Sequence, residues 1–134
     1  MNTDSTGQFS AMYKPFHLIG MELNISIFSA ALLNQSTGQT QNFSGDVVAT
    51  SKRSLKKGEI LDGEGGATVW GKLIPVKVSL SNETLPIGLA HGIKLNKDIK
   101  EDQIITWKDV DYSSDDPTVS FRRSMEKNFR SSLD

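Results

Sequence analysis

The chain has 134 residues, 15 lysines and arginines against 16 aspartates and glutamates, a net charge of −1 and no cysteine. The length fits one domain, or a compact module with tails, and the near-neutral charge gives no electrostatic footprint for nucleic acid or an anionic membrane. Without cysteine there is no disulfide framework, thiolate nucleophile or cysteine-ligated zinc; the composition fits a reducing compartment, and we read the chain as cytoplasmic.

Residues 1–10 are polar and without periodicity, an expected disordered lead-in. From Ala11 to Leu33 apolar residues recur as Phe16, Ile19, Leu23, Ile27, Ala30 and Ala31, near helical spacing, with Pro15 suited to a first turn. Gly20 and Asn24 weaken the middle, so the spacing predicts either one helix or two, over 13–22 and 25–33. His17, Gly20, Glu22, Asn24, Ser26 and Ser29 make the stretch a poor membrane span. The run from Asn34 to Gly38 carries stop signals, closing a helical arm over 11–38. A polar linker, 39–45, is the best domain boundary.

Val47–Leu61 reads as an apolar strand, a basic middle, a tight turn at Gly58 and a short return strand. The pattern repeats 44 positions later. Arg53 falls on Lys97, Leu55 on Ile99, Lys56 on Lys100, Gly58 on Asp102, Glu59 on Gln103, Ile60 on Ile104 and Leu61 on Ile105, which implies a small pseudo-symmetric β module. Between the copies lie a glycine loop from Asp62 to Gly66, a strand-like Thr68–Trp70, and an expected strand over Lys72–Leu80 that Pro75 confines to an edge or breaks. Leu85–Gly92 is apolar and breaker-rich, expected to be irregular chain against the sheet. Beyond Tyr112, residues 113–134 form a tail. Within it, Phe121, Met125 and Phe129 fall four apart among Arg122, Arg123, Lys127 and Arg130: an amphipathic helix capped by Asp116 with Pro117 first, or a frayed tail.

Three residues stand out as candidate ligand contacts. Glu64 is a carboxylate set among glycines, Lys72 follows Trp70-Gly71, and His91 lies between Ala90 and Gly92; each also has an ordinary reading as a solvated turn acid, a surface lysine and a hydrogen-bonded structural histidine. All three are expected to face a common cleft. The histidines, His17 and His91, show no metal-binding spacing, no Gly-x-Ser-x-Gly elbow is present, and no glycine-rich turn joins a strand to a helix, so no metal, nucleophile or nucleotide cofactor site is expected in this chain.

The stretch Asp46–Leu61 resembles the SAF-domain signature, and SAF domains have the β-clip fold. More closely, Tyr13–Leu23, Leu61–Gly66, Gly71-Lys72-Leu73 and Leu85–Gly92 resemble, in order, blocks of the C-terminal part of homoserine-dehydrogenase-like NAD(P)-dependent oxidoreductases, a family that includes 1-deoxy-D-xylulose 5-phosphate reductoisomerase-like enzymes. The resemblance implies a mainly β chain: a β-clip SAF module over 46–112, preceded by the helical arm as the end of a catalytic domain. It implies an upstream Rossmann and catalytic part that holds NAD(P). The fragment would be inactive alone, with catalytic residues unassigned. The arm's Phe16, Ile19, Leu23, Ile27, Phe28 and Leu32 present more apolar surface than a small β module covers, so a homo-oligomer through the arm is expected. A free-standing SAF module for a sugar acid or polyol, or a structural interaction domain, are the alternatives.

Overall fold

A computed structural model describes residues 3–39 and 42–130. The chain divides into two compact units, Met1–Gln41 and Asn42–Asp134, and the divide falls inside the polar linker.

In the first unit, α1 spans Ile19–Leu33 as one uninterrupted helix. Gly20 and Asn24 do not break it, and Pro15 lies ahead of it rather than in its first turn. Asn34 ends it in the left-handed conformation, φ 52°, its N–H donating to the Ser29 carbonyl. At the start, Glu22 accepts from the Leu18 N–H at 3.2 Å and pairs with Lys14. No residue of α1 is buried.

Among its described residues the second unit holds five short strands, two α-helices and two short 3-10 turns, Ile87–Leu89 and Trp107–Asp109. Strand β1 (Gly45–Ser51) pairs antiparallel with β3 (Val69–Pro75), from Gly45 opposite Pro75 to Ser51 opposite Val69. Strand β2 (Ile60–Asp62) pairs antiparallel with β4 (His91–Leu95), which pairs in turn with β5 (Val110–Asp111). With α1, α2 (Val76–Asn82) and α3 (Pro117–Arg130), the balance is mixed α/β with small antiparallel sheets, less strand-dominated than the mainly β chain the sequence suggests. No helix among the described residues is long and apolar enough to cross a membrane.

The 44-residue repeat is written into the backbone hydrogen bonds. Leu55 and Ile99 exchange N–H···O bonds of 2.8 and 2.9 Å, so the two copies meet at equivalent residues, as on a local two-fold axis. The bonds that flank the two turns are paired in the same way. Gly58 N–H donates to Leu95 O (2.8 Å) as Asp102 N–H does to Ser51 O (3.1 Å), and Leu95 N–H donates to Glu59 O (2.9 Å) as Ser51 N–H does to Gln103 O (3.0 Å). Both turns place their third residue at positive φ, Gly58 at 88° and Asp102 at 59°. Both turns are also closed by the side chain of the fourth: Glu59 accepts from Lys56 N–H at 3.0 Å, and Gln103 from Lys100 N–H at 3.1 Å. The apolar residues on either side of these turns, Leu55, Leu61, Leu95, Ile99 and Ile105, are essentially inaccessible and form one core with Val69, Leu85 and Trp107.

The expected strand Lys72–Leu80 is half strand and half helix. β3 ends at Pro75, whose ring fixes φ at −58° and whose ψ of 139° turns the chain into α2. Val76, Ser79 and Leu80 are its buried face, an i, i+3, i+4 set hidden inside an apparent alternation. Ser79 also bonds the buried Asp46 (2.5 Å) and Thr84 (2.6 Å).

The tail is a structural part of this unit. Asp116 caps α3, accepting from Thr118 N–H at 2.8 Å and Val119 N–H at 3.3 Å, with Pro117 as first helical residue. The docked face takes up the stripe of Phe121, Met125 and Phe129 only in part: Phe121 stays exposed, Met125 is half-buried, and Phe129 meets the Phe43 ring edge-on with centres 5.4 Å apart. Beside them Val119 and Glu126 are buried. Arg122 reaches Asp46 at 2.5 Å and Glu126 at 2.8 Å, Glu126 also accepts from Arg123 (2.7 Å) and Trp107 Nε1 (3.3 Å), and Arg130 donates to Leu80 O at 2.7 Å. The guanidiniums of Arg122 and Arg123 lie over Phe43 and Trp107, 5.2 and 5.3 Å from the ring centres. A charge network fixes the helix together with the apolar contacts of Val119 and Phe129.

Candidate functional site

Asp62 ends β2 and organises the glycine loop. Its carboxylate accepts from the N–H groups of Ala67 (2.5 Å) and Thr68 (3.0 Å) and from the Thr68 hydroxyl. These donors, the hydroxyl foremost, hold its pKa down at about 2 against an ordinary 3.8. A Cβ at Gly66 would overlap that carboxylate. At Gly63, φ is 74° and a Cβ would lie 2.9 Å from His91 Cβ, so glycine is required both by conformation and by the histidine's closeness. The Lys52 ammonium closes the other side, donating to Gly66 O at 2.5 Å. Glu64 is therefore carried, exposed, at the tip of a clamped loop.

His91 opens β4, opposite Asp62, and its Nδ1 lies 3.0 Å from the Asp62 carbonyl oxygen. A carbonyl can only accept, so Nδ1 carries a proton and donates to it. The ring borders an open cleft of about 330 Å³ between the start of β4 and the junction of β5 with α3, lined also by Leu89, Ile93, Asp111, Tyr112, Ser113, Asp116, Thr118 and Val119. Antiparallel pairing of β4 with β5 brings these together, and Tyr112 is braced edge-on against Trp107 at 4.9 Å. The cleft is rich in acceptors: the Asp111 and Asp116 carboxylates and the hydroxyls of Ser113 and Thr118.

Of the three candidate residues, His91 lines this cleft and Glu64 sits on the loop whose Gly63 packs against His91. Neither Glu64 nor Lys72 is among the cleft's lining residues. Lys72 lies in β3, exposed and register-paired with Val48. Asp111, Tyr112, Asp116 and Thr118 carry no motif. Asp116 alone had a signal, as a helix cap before proline, and that signal is local. The glycine loop joins β2 to β3 and opens no helix, so it has no helix N-terminus to seat a pyrophosphate. Among the described residues no three histidines and carboxylates converge as metal ligands. Neither protein-family models nor curated proteins give a match to this chain.

Proposed function

We propose that this chain is the C-terminal SAF-type accessory part of an NAD(P)-dependent oxidoreductase of the homoserine-dehydrogenase-like kind, acting in the cytoplasm. It serves substrate binding or assembly and is inactive alone, with the nucleotide held by a Rossmann and catalytic partner domain or chain. The observation that carries the reading is α1. Ile19, Leu23, Ile27 and Ala30 lie on one side of the helix, Met21, Ile25, Phe28 and Leu32 on the opposite side, and none is buried. A helix apolar on two opposed sides belongs inside a larger protein body. The reciprocal turns and their shared core support a β-clip for the second unit.

The test is co-expression with the protein encoded immediately upstream. Co-purification of the two, with hydride transfer from NAD(P)H that the chain lacks when isolated, is the expected result. Titration calorimetry of the isolated chain with NADPH and NADH should give no saturable heat. One-site binding by the chain alone, or an upstream product that neither co-purifies nor binds nucleotide, would overturn the reading.

The His91 cleft favours a second reading, a free-standing module that binds a polyol. Hydroxyl groups match its acceptors, whereas a sugar acid would set its carboxylate against Asp111 and Asp116. Amide NMR titration with sorbitol and with gluconate separates the two ligands. Shifts confined to residues 88–93 and 111–119 with sorbitol support the polyol, and none with either removes the reading.

A further inference from the structure

We infer that α1 pairs with α1 of a second copy, antiparallel across a two-fold axis, through the stripe Ile19, Leu23, Ile27 and Ala30. The inference concerns the chain on its own and does not require the oxidoreductase reading.

An isolated helix of this length is marginal in water, because nucleation is costly and propagation nearly neutral, so α1 needs packing to persist. Within the first unit it receives little. Ile19, Leu23 and Ile27 are 76, 61 and 51% exposed, and Phe16 and Leu18 just before them 61 and 47%. At roughly 150–200 Å² for a full apolar side chain these five offer about 500 Å² per copy, so a symmetric pair reaches about 1,000 Å², the lower bound for a specific interface.

Three features favour a second copy over an unlike partner on this stripe. First, the stripe is self-complementary when reversed: antiparallel pairing sets Leu23 against Ile27 of the second copy, and bulky Ile19 against small Ala30. Second, Glu22 is the helix's one charged residue and is already paired with Lys14, so two copies meet without charge repulsion. Third, antiparallel helix dipoles attract. The opposite side is shaped differently. There the chain after Asn34 folds back, with Gln35 N–H donating to Ser29 O (3.1 Å), Ser29 Oγ to Gln35 O (2.9 Å) and Ser26 and Thr37 hydroxyls 3.1 Å apart. That return helps form an apolar groove of about 420 Å³ along Ile25, Phe28, Leu32 and Leu33, a hollow without a matching ridge on the same face.

Sedimentation equilibrium of the full chain over a wide concentration series tests the pairing. The expected limit is twice the 14.7 kDa chain mass. Leu23→Glu/Ile27→Glu should be monomeric throughout, and Ile25→Glu/Leu32→Glu should still dimerise. Because α1 contributes no buried residue, both variants should keep the unfolding transition reported by Trp107, which shows that the second unit is intact. The chain lacks cysteine, so orientation is read by oxidation: a mixture of Leu23→Cys and Ile27→Cys chains should cross-link to each other in preference to like pairs. A monomeric parent chain, a dimer that survives Leu23→Glu/Ile27→Glu, or cross-linking between like chains only would overturn the inference.

Discussion

Replacing Arg122 by alanine should loosen α3 and destabilise the second unit as a whole. The guanidinium, with its side chain 14% exposed, sits between the carboxylates of Asp46 and Glu126, both about 5% exposed. Without it Asp46 keeps only the Ser79 hydroxyl, while Glu126 retains Arg123 and the Trp107 N–H. Leaving a buried charge uncompensated costs about 3–5 kcal/mol, a large part of the about 5–15 kcal/mol that holds a typical domain. Arg53→Ala is the control, because its pair with Glu59 is half exposed and screened by solvent. Urea unfolding followed by Trp fluorescence should show a midpoint lowered by on the order of 1–3 M for Arg122→Ala and little change for Arg53→Ala. Asp46→Asn/Arg122→Met/Glu126→Gln, which removes all three charges together, should recover much of the loss. Equal midpoints for Arg122→Ala and Arg53→Ala would refute the argument that buried charge holds the helix.

Asp62 has a folded-state pKa of about 2 against an ordinary 3.8, so its contribution is present above pH 3.8 and is lost as the pH falls through about 2; in Asp62→Asn, acid unfolding curves should flatten across that window. Gly63→Ala should cost about 1–3 kcal/mol, for its positive φ and for the contact with His91, and Gly65→Ala, with the same sign of φ but open space around it, should cost less; thermal unfolding of the two separates strain from collision.

Much of the second unit could be read from residue order because its determinants are local. A turn that needs positive φ announces itself as Gly58 or Asp102, a carboxylate or amide that closes the turn sits at a fixed offset, and the apolar residues flanking both turns repeat at the same spacing. Asp116-Pro117 likewise marks the start of α3, and Asn34 the end of α1. The misreadings fall where partners are distant in sequence. Val76–Leu80 alternates like a strand, but Asp46, 33 residues earlier, takes the Ser79 hydroxyl and Ser44 O takes the Val76 N–H, so a helix satisfies the polar groups that a strand would leave bare. On α3 the apolar stripe marks one edge of the packed face, through Phe129 against Phe43, while the inward turn of Arg122 and Glu126 depends on Asp46 and Trp107, which are distant in sequence.

The cleft shows the same limit from the side of function. Of its polar residues, His91 was visible because it sits among breakers, but the acids and hydroxyls facing it arrive through a register, Lys94 opposite Asp111, that no motif encodes. The clamped loop explains why glycines cluster at 63–66: they let the Asp62 carboxylate reach its donors and His91 close over Gly63. Those glycines thus serve the histidine's placement as much as the exposure of Glu64. α1 carries the opposite lesson, for the helical spacing from Phe16 to Ala31 traces one stripe, and Met21 and Ile25, which complete a second stripe with Phe28 and Leu32, fall outside it. Two opposed stripes cancel in any one-sided test of amphipathicity, and such cancellation is what a helix enclosed on both sides by other protein requires.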